Sequence, residues 1–209
     1  MKDLIFCTGF KGGIGKSFMT AAVVDYLATK SDDIVIIDSD SSIPDIYKTF
    51  KDIYKTETCN LFLNEGWSRL FSICEENNDK HIIVNCAAGA DKAFIQNIKH
   101  IKLASEILNR RLISFFMLND EKDSLNTLDK YFKETACLNN HRIAIVKNGY
   151  FGDDEIFCVY NPSQLKANIE STGGVSFYLP VLASHVRLEI KLARKSFADA
   201  SNNLSLSDR

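Results

Sequence analysis

The chain alternates between short apolar runs and longer stretches in which apolar residues return every three or four positions. The apolar runs Leu4–Thr8, Ile34–Asp38, His81–Cys86, Leu112–Leu118, Arg142–Lys147 and Val175–Leu179 read as strands. The periodic stretches predict helices over Lys16–Lys30, Gly66–Asn77, Asp91–Asn109, Asp123–Ala136, Asp154–Glu170 and His185–Ala200. Within the strands the apolar residues follow one another instead of alternating with polar ones. That is the pattern of strands covered on both faces, so the expected class is α/β, a mostly parallel central sheet with helices on both sides. The connection from Asp38 to Asn64 is expected to hold one short helix near Ile46–Tyr54. No repeat or low-complexity linker interrupts the alternation, which predicts one domain over residues 1–200 and a polar, frayed tail over 201–209.

Composition narrows this picture. At 209 residues, 45% hydrophobic and 25% charged, the chain can bury a sizeable single core. A net charge of −2 gives no global attraction for nucleic acid, so DNA contact would need a local basic patch. None of the six cysteines forms a C-x-x-C pair, which fits free thiols in a reducing, cytoplasmic setting. The N-terminus enters a strand at once, with no signal-type apolar region, and no run reaches the length of a membrane span.

The candidate chemistry begins where the first strand meets the first helix, at Lys11-Gly12-Gly13-Ile14-Gly15-Lys16-Ser17, with Phe18 following. Glycines in a strand-to-helix loop let backbone N–H groups converge on phosphate oxygens, and the helix dipole points the same way. Lys16 can reach the β- and γ-phosphates, and the Ser17 hydroxyl can ligate Mg²⁺. The strict pattern G-x-x-x-x-G-K-[ST] asks for glycine at position 10, where this chain has Phe10. Lys11 is a second lysine that an ordinary phosphate loop does not require.

In an open α/β sheet, ligands sit beyond the carboxyl ends of the strands, so the residues there come next. Asp38 and Asp40 follow the second strand two apart, and both can face the loop. One can serve a metal and the other an attacking water; equally, Asp38-Ser39-Asp40-Ser41-Ser42 can be an Asx-type turn leading into a helix. Val84-Asn85-Cys86-Ala87-Ala88-Gly89 ends the third strand, where small residues allow approach to a γ-phosphate or simply close packing. Asn148 can hydrogen-bond a purine edge or serve as a turn residue before Gly149, and Pro180 can wall a base pocket. Arg187, Lys191, Arg194 and Lys195 would form one basic stripe on a continuous last helix, fit for phosphate backbones or for solvent. Lys99, Lys102, Arg110 and Arg111 form a second patch with the same two readings.

Taken together these positions resemble the ParA/MinD family of deviant Walker A ATPases, whose mark is K-G-G-x-G-K-[ST] with the additional lysine. Within it, the stretches Ile36–Phe50 and Val84–Gly89 look like the small ParA-like proteins of plasmid stability and conjugative transfer, of the StbB and TraL kind. The resemblance implies a P-loop NTPase fold and a Mg²⁺-dependent ATPase. It also implies that Lys11 reaches the phosphates bound by a partner in an ATP sandwich dimer. Lys16 and Ser17 would hold phosphate and Mg²⁺, Asp38 would hold Mg²⁺ through water, and Asp40 would position the attacking water. Asn85 stands where many relatives have aspartate, and Ser41 where they have proline; an amide can still serve the metal's shell, but without charge. The implied partners are non-specific DNA or a DNA-bound adaptor, with no membrane anchor. Two other functions fit the same loop: a nucleotide-gated binding module with little hydrolysis, and a ligase of the dethiobiotin-synthetase sort.

Overall fold

The computed structural model describes residues 1–203, apart from the side chains of Glu189, Lys191, Ala193 and residues 201–203. Seven strands form one sheet: β1 (Asp3–Gly9), β2 (Ile34–Asp38), β3 (Lys55–Thr58), β4 (His81–Asn85), β5 (Arg111–Leu118), β6 (His141–Asn148) and β7 (Val175–Leu179). Their order is β3-β2-β4-β1-β5-β6-β7, and every pairing is parallel. The helices are α1 (Lys16–Ala28), α2 (Asp45–Phe50), α3 (Asn64–Glu76), α4 (Ala90–Gln96), α5 (Ile98–Ile107), α6 (Lys122–Thr135), α7 (Gln164–Ser171), α8 (Ser184–Ala193) and α9 (Phe197–Asn203).

The sheet divides the core in two. Along β1, Leu4 and Phe6 point to one side, where they join Trp67, Leu70, Phe94, Phe116 and Tyr131. Ile5 and Cys7 point to the other, with Val24, Ile36, Phe50, Met117 and Val146. This period-two division explains why the strands read as unbroken apolar runs: both sides are covered. Four cysteines (Cys7, Cys59, Cys74 and Cys86) are buried, and all six are free thiols.

Several expectations are corrected. The Asp38–Asn64 connection holds β3 as well as α2. Lys-Thr-Glu-Thr lacks an apolar pattern because β3 is an edge strand, recruited by pairing Val35–Asp38 with Lys55–Thr58. The stretch Asp91–Asn109 is two helices, broken at Asn97. Over Asp154–Glu170 only α7 is an α-helix, and a short 3-10 turn occupies Asp154–Phe157. Pro162 disfavours helical backbone at Asn161, and the Ser163 hydroxyl restarts the helix by accepting the Lys166 N–H at 3.2 Å.

The last helix is also two. Arg194 ends α8 in the left-handed region at φ 49°. Ser196 then opens α9: its hydroxyl oxygen accepts the Asp199 N–H at 3.0 Å and its O–H donates to Asp199 Oδ2 at 2.8 Å. Asp25 of α1 accepts the Phe197 N–H at 2.6 Å, which ties α9 back to α1. The helix runs to Asn203, so the expected polar tail begins helical, and residues 204–209 lie outside the described ones.

The second basic patch does not form. Arg110 is 1% exposed and donates to the carbonyls of Cys74, Asn77 and Lys80, where α3 ends, while Arg111 pairs with Asp3 at 2.7 Å.

Candidate functional site

The loop between β1 and α1 has the geometry of an anion cradle. Gly13 and Gly15 take positive φ, 74° and 103°, which a side chain would strain. Among the described residues no acceptor meets the backbone N–H groups from Lys11 to Phe18, so they remain available at the end of the sheet. The Lys16 ammonium is buried and donates to the Lys11 carbonyl at 2.7 Å, which closes the loop and leaves two protons for an anion. Burial pulls the Lys16 pKa below the usual lysine range; Cys86, Asp40 and Asp91 act in the other direction. These features fit a phosphate group. Ser17 is exposed on the first turn of α1, while the Phe18 ring packs edge-on against Phe197 at 4.9 Å.

Strand register brings the next residues together. Asp38 ends β2 directly beside Asn85, which ends β4, and Asn85 lies beside Cys7 of β1. The Asp38 carboxylate accepts from Asn85 Nδ2 at 2.8 Å, the Asp40 N–H at 3.2 Å and the Tyr47 N–H at 3.0 Å. The last of these caps the first turn of α2. Burial raises the Asp38 pKa, and the bonds from Asn85, Tyr47 and Asp40 pull it back. Asn85 Oδ1 is 3.1 Å from the Thr20 hydroxyl, so its amide is engaged at both ends.

Asp40 lies further out. Its Oδ1 accepts the Ser42 hydroxyl at 2.6 Å and the N–H groups of Ser42 and Ile43. Burial alone would raise its pKa; the three hydrogen bonds and the charge of Lys16 outweigh that and hold it below the ordinary carboxylate range. The Asx-type turn forms at Asp40, whose carboxylate also feels the charge of Lys16.

At the far side, Asn148 spans two loops. Its Nδ2 donates to the Ile14 carbonyl at 2.9 Å and its Oδ1 accepts the Tyr150 N–H at 3.0 Å. One N–H and one lone pair remain for a base edge. Pro180 is exposed just after Leu179, the register partner of Asn148, so the two stand at neighbouring strand ends.

Among the described residues the basic stripe is interrupted where α8 ends. Arg187 stacks over the Tyr150 ring at 4.8 Å, Arg194 and Lys195 follow the end of α8, and the Lys191 side chain lies outside the described ones. Sequence reading also missed three partners. Glu121, which precedes α6, forms an ion pair with Lys11, and that contact lowers its pKa. Thr20 fastens Asn85 to α1. Asp91, on the first turn of α4, is buried with Oδ1 lacking a partner among the described residues, and burial raises its pKa. A D/N-x₅-D spacing and a carboxylate just beyond β5 were the signals available, and neither is distinctive alone.

A family profile described as the CobQ/CobB/MinD/ParA nucleotide binding domain matches residues 5–156, from β1 to the 3-10 turn at Asp154–Phe157 that follows β6. The chain belongs to the MinD/ParA family of nucleotide-binding domains. It is similar to Protein MobD of Acidithiobacillus ferrooxidans, 33% identical over 208 residues that span 100% of this chain and 90% of that protein. Among solved structures it is similar to the septum site-determining protein MinD of Pyrococcus horikoshii OT3 complexed with Mg-ADP. The TM-score is 0.59 at 14% identity, over 98% of this chain and 90% of that one. A Borrelia burgdorferi B31 protein assigned to plasmid partition, bound to AMPPNP, matches with a TM-score of 0.55 at 14% identity, over 97% and 96%. At that identity the solved structures establish the MinD/ParA fold, a parallel sheet flanked by helices. Among the described residues no helix is long and apolar enough to cross a membrane.

Proposed function

We propose that this chain is a Mg²⁺-dependent, slowly ATP-hydrolysing switch that pairs as an ATP-bound dimer and serves plasmid partition, plasmid stability or conjugative transfer. The observation that carries the reading is the cradle with its two lysines. Lys16 closes the loop from within by bonding the Lys11 carbonyl, whereas the Lys11 side chain points outward to Glu121. The nucleotide complexes of the MinD and partition-type structures support ATP as the ligand, and the partition protein supports the plasmid role.

In this reading the N–H groups of Gly12–Phe18 and the Lys16 ammonium bind the phosphates, and Asn148 with Pro180 borders the base. Ser17, Asp38 and Asn85 are the residues that would hold Mg²⁺, which would supply neutralisation of phosphate charge. Asp40, ionised by its hydrogen bonds, orients the attacking water. Lys11 leaves Glu121 and reaches the phosphates of a partner. The dimer then meets a DNA-bound adaptor or non-specific DNA. Sizing with ATP and Mg²⁺ beside Lys11→Ala tests this: wild type becomes dimeric and the variant does not. A wild type that stays monomeric with every nucleotide overturns the role of Lys11.

A second reading has its own observation. The Asn85 amide is bound to Asp38 and Thr20 and carries no charge, which favours a nucleotide-gated binding module with little turnover. ATP-dependent pairing without phosphate release would select it.

A further inference from the structure

The two edges of the sheet are built differently. β3 carries Lys55 and Glu57, and Glu57 is paired with Arg69 of α3 at 2.6 Å. Charge on an edge strand discourages another strand from adding to it. β7, at the other edge, is Val-Ser-Phe-Tyr-Leu. No charged residue stands between Glu170 and His185, in a chain that is 25% charged. Val175 is 54% exposed, and every other β7 residue is partly accessible. β6 pairs with one side of β7, and among the described residues no backbone hydrogen bond of a loop or turn ends on residues 175–179. The free side therefore presents unpaired N–H and C=O groups with no charged side chain on the strand to guard them.

The strand is also self-complementary. Laid antiparallel on a copy of itself about Phe177, Val175 faces Leu179, Ser176 faces Tyr178 and Phe177 faces Phe177. Phe177 and Leu179 lie on the α1 side of the sheet and Tyr178 on the opposite side, so apolar residues meet apolar ones and the hydroxyl-bearing residues meet each other. Lys55 and Glu57 of β3 offer no such uncharged match.

We propose that β7 is a self-pairing edge: two copies of this chain align their β7 strands antiparallel about Phe177 and join two seven-stranded sheets into one. The contact is isologous, each strand supplying the same groups to the other. It needs no nucleotide. β7 lies three strands from β1, about 14 Å at ordinary strand spacing, so the cradle at the end of the sheet stays open. The pairing goes beyond the proposed ATP-driven dimer and does not depend on it.

The test is sedimentation of nucleotide-free protein across a concentration series, with Val175→Lys and Lys11→Ala beside wild type. Wild type and Lys11→Ala are expected to dimerise at tens of micromolar, with Val175→Lys weakened by about tenfold or more. Hydrogen exchange on wild type guards against a misfolded variant: amides of residues 175–179 should slow as concentration rises, while those of β3 do not. Monomeric wild type, an undiminished Val175→Lys dimer, or exchange in β7 that ignores concentration overturns the proposal. Loss of nucleotide-free pairing in Lys11→Ala overturns it too, by placing the contact at the cradle.

Discussion

The cradle and the C-terminal pair of helices were both candidate phosphate-binding regions, and they fared differently. Around the cradle, the candidate side chains hang from the end of a strand, from the loop that follows it or from the first turn of the next helix. Strand register then decides who meets whom: Asp38 beside Asn85, Asn148 beside Leu179. In α8 and α9 the cations were to be aligned by helical periodicity. That alignment ends at Arg194, whose left-handed backbone closes α8 before Lys195. A sheet tolerates no slip of register without turning every side chain over, whereas a surface helix can end wherever a cap competes. Groups held by a sheet are thus the safer basis for a functional reading.

The first way to break the comparison is to strike the cradle itself. Lys16→Ala removes the cation that closes the loop, and nucleotide affinity measured by calorimetry should fall by about 100-fold or more. Unchanged affinity would mean that the loop is only a packed turn. Asp40→Ala should leave binding in place and lower phosphate release by about 100-fold. Equal turnover would confine Asp40 to its Asx-type turn.

Two predictions concern groups that only the fold put to use. Arg110→Met removes a donor from three carbonyls at the end of α3, of which Asn77's keeps the Lys80 N–H, and should cost about 2–4 kcal/mol in chemical denaturation. A loss below 1 kcal/mol, about the worth of an ordinary surface change, would return Arg110 to the surface patch. His141 is half-buried with Nε2 at 2.8 Å from the Ser114 hydroxyl, and desolvation of its ring lowers its pKa to about 4. Between that value and the ordinary 6.5 the unfolded chain binds the extra proton. The stability His141 contributes is therefore present above about pH 6.5 and is lost as pH falls toward 4, by up to about 1.4 kcal/mol per pH unit. The denaturation profile of His141→Gln should lack that component, and parallel profiles would refute the assignment. The smallest effect is expected at the other region. Charge reversal of Arg187 and Arg194 together should weaken any DNA retention by about twofold or less. A larger loss with a flatter salt dependence would restore the stripe as a DNA face.

Much of the fold was legible because strand pattern and loop chemistry are local. The runs around Ile5, Ile36 and Val84 could only be strands covered on both sides, and glycine with Lys-Ser after the first of them marked the cradle. β3 was not legible, since Lys55–Thr58 becomes a strand only by pairing with β2. Glu121 was not legible either, because it lies 110 residues from Lys11 in the chain. The stops at Pro162 and at Ser196 were written in the sequence but were outvoted by periodicity.

By itself the sequence determined the layer architecture, the cradle and the carboxylates that follow β2, since each rests on neighbours within a few residues. Only the tertiary structure decided how those groups are held. Asp38 is gripped by Asn85 and Tyr47, Lys11 is held by Glu121, and Arg110 is drawn inside. The physical reason is that hydrogen bonds and burial depend on distance in space, and distant segments meet only when the strand order is set. The same order left β3 charged at one edge and β7 uncharged at the other.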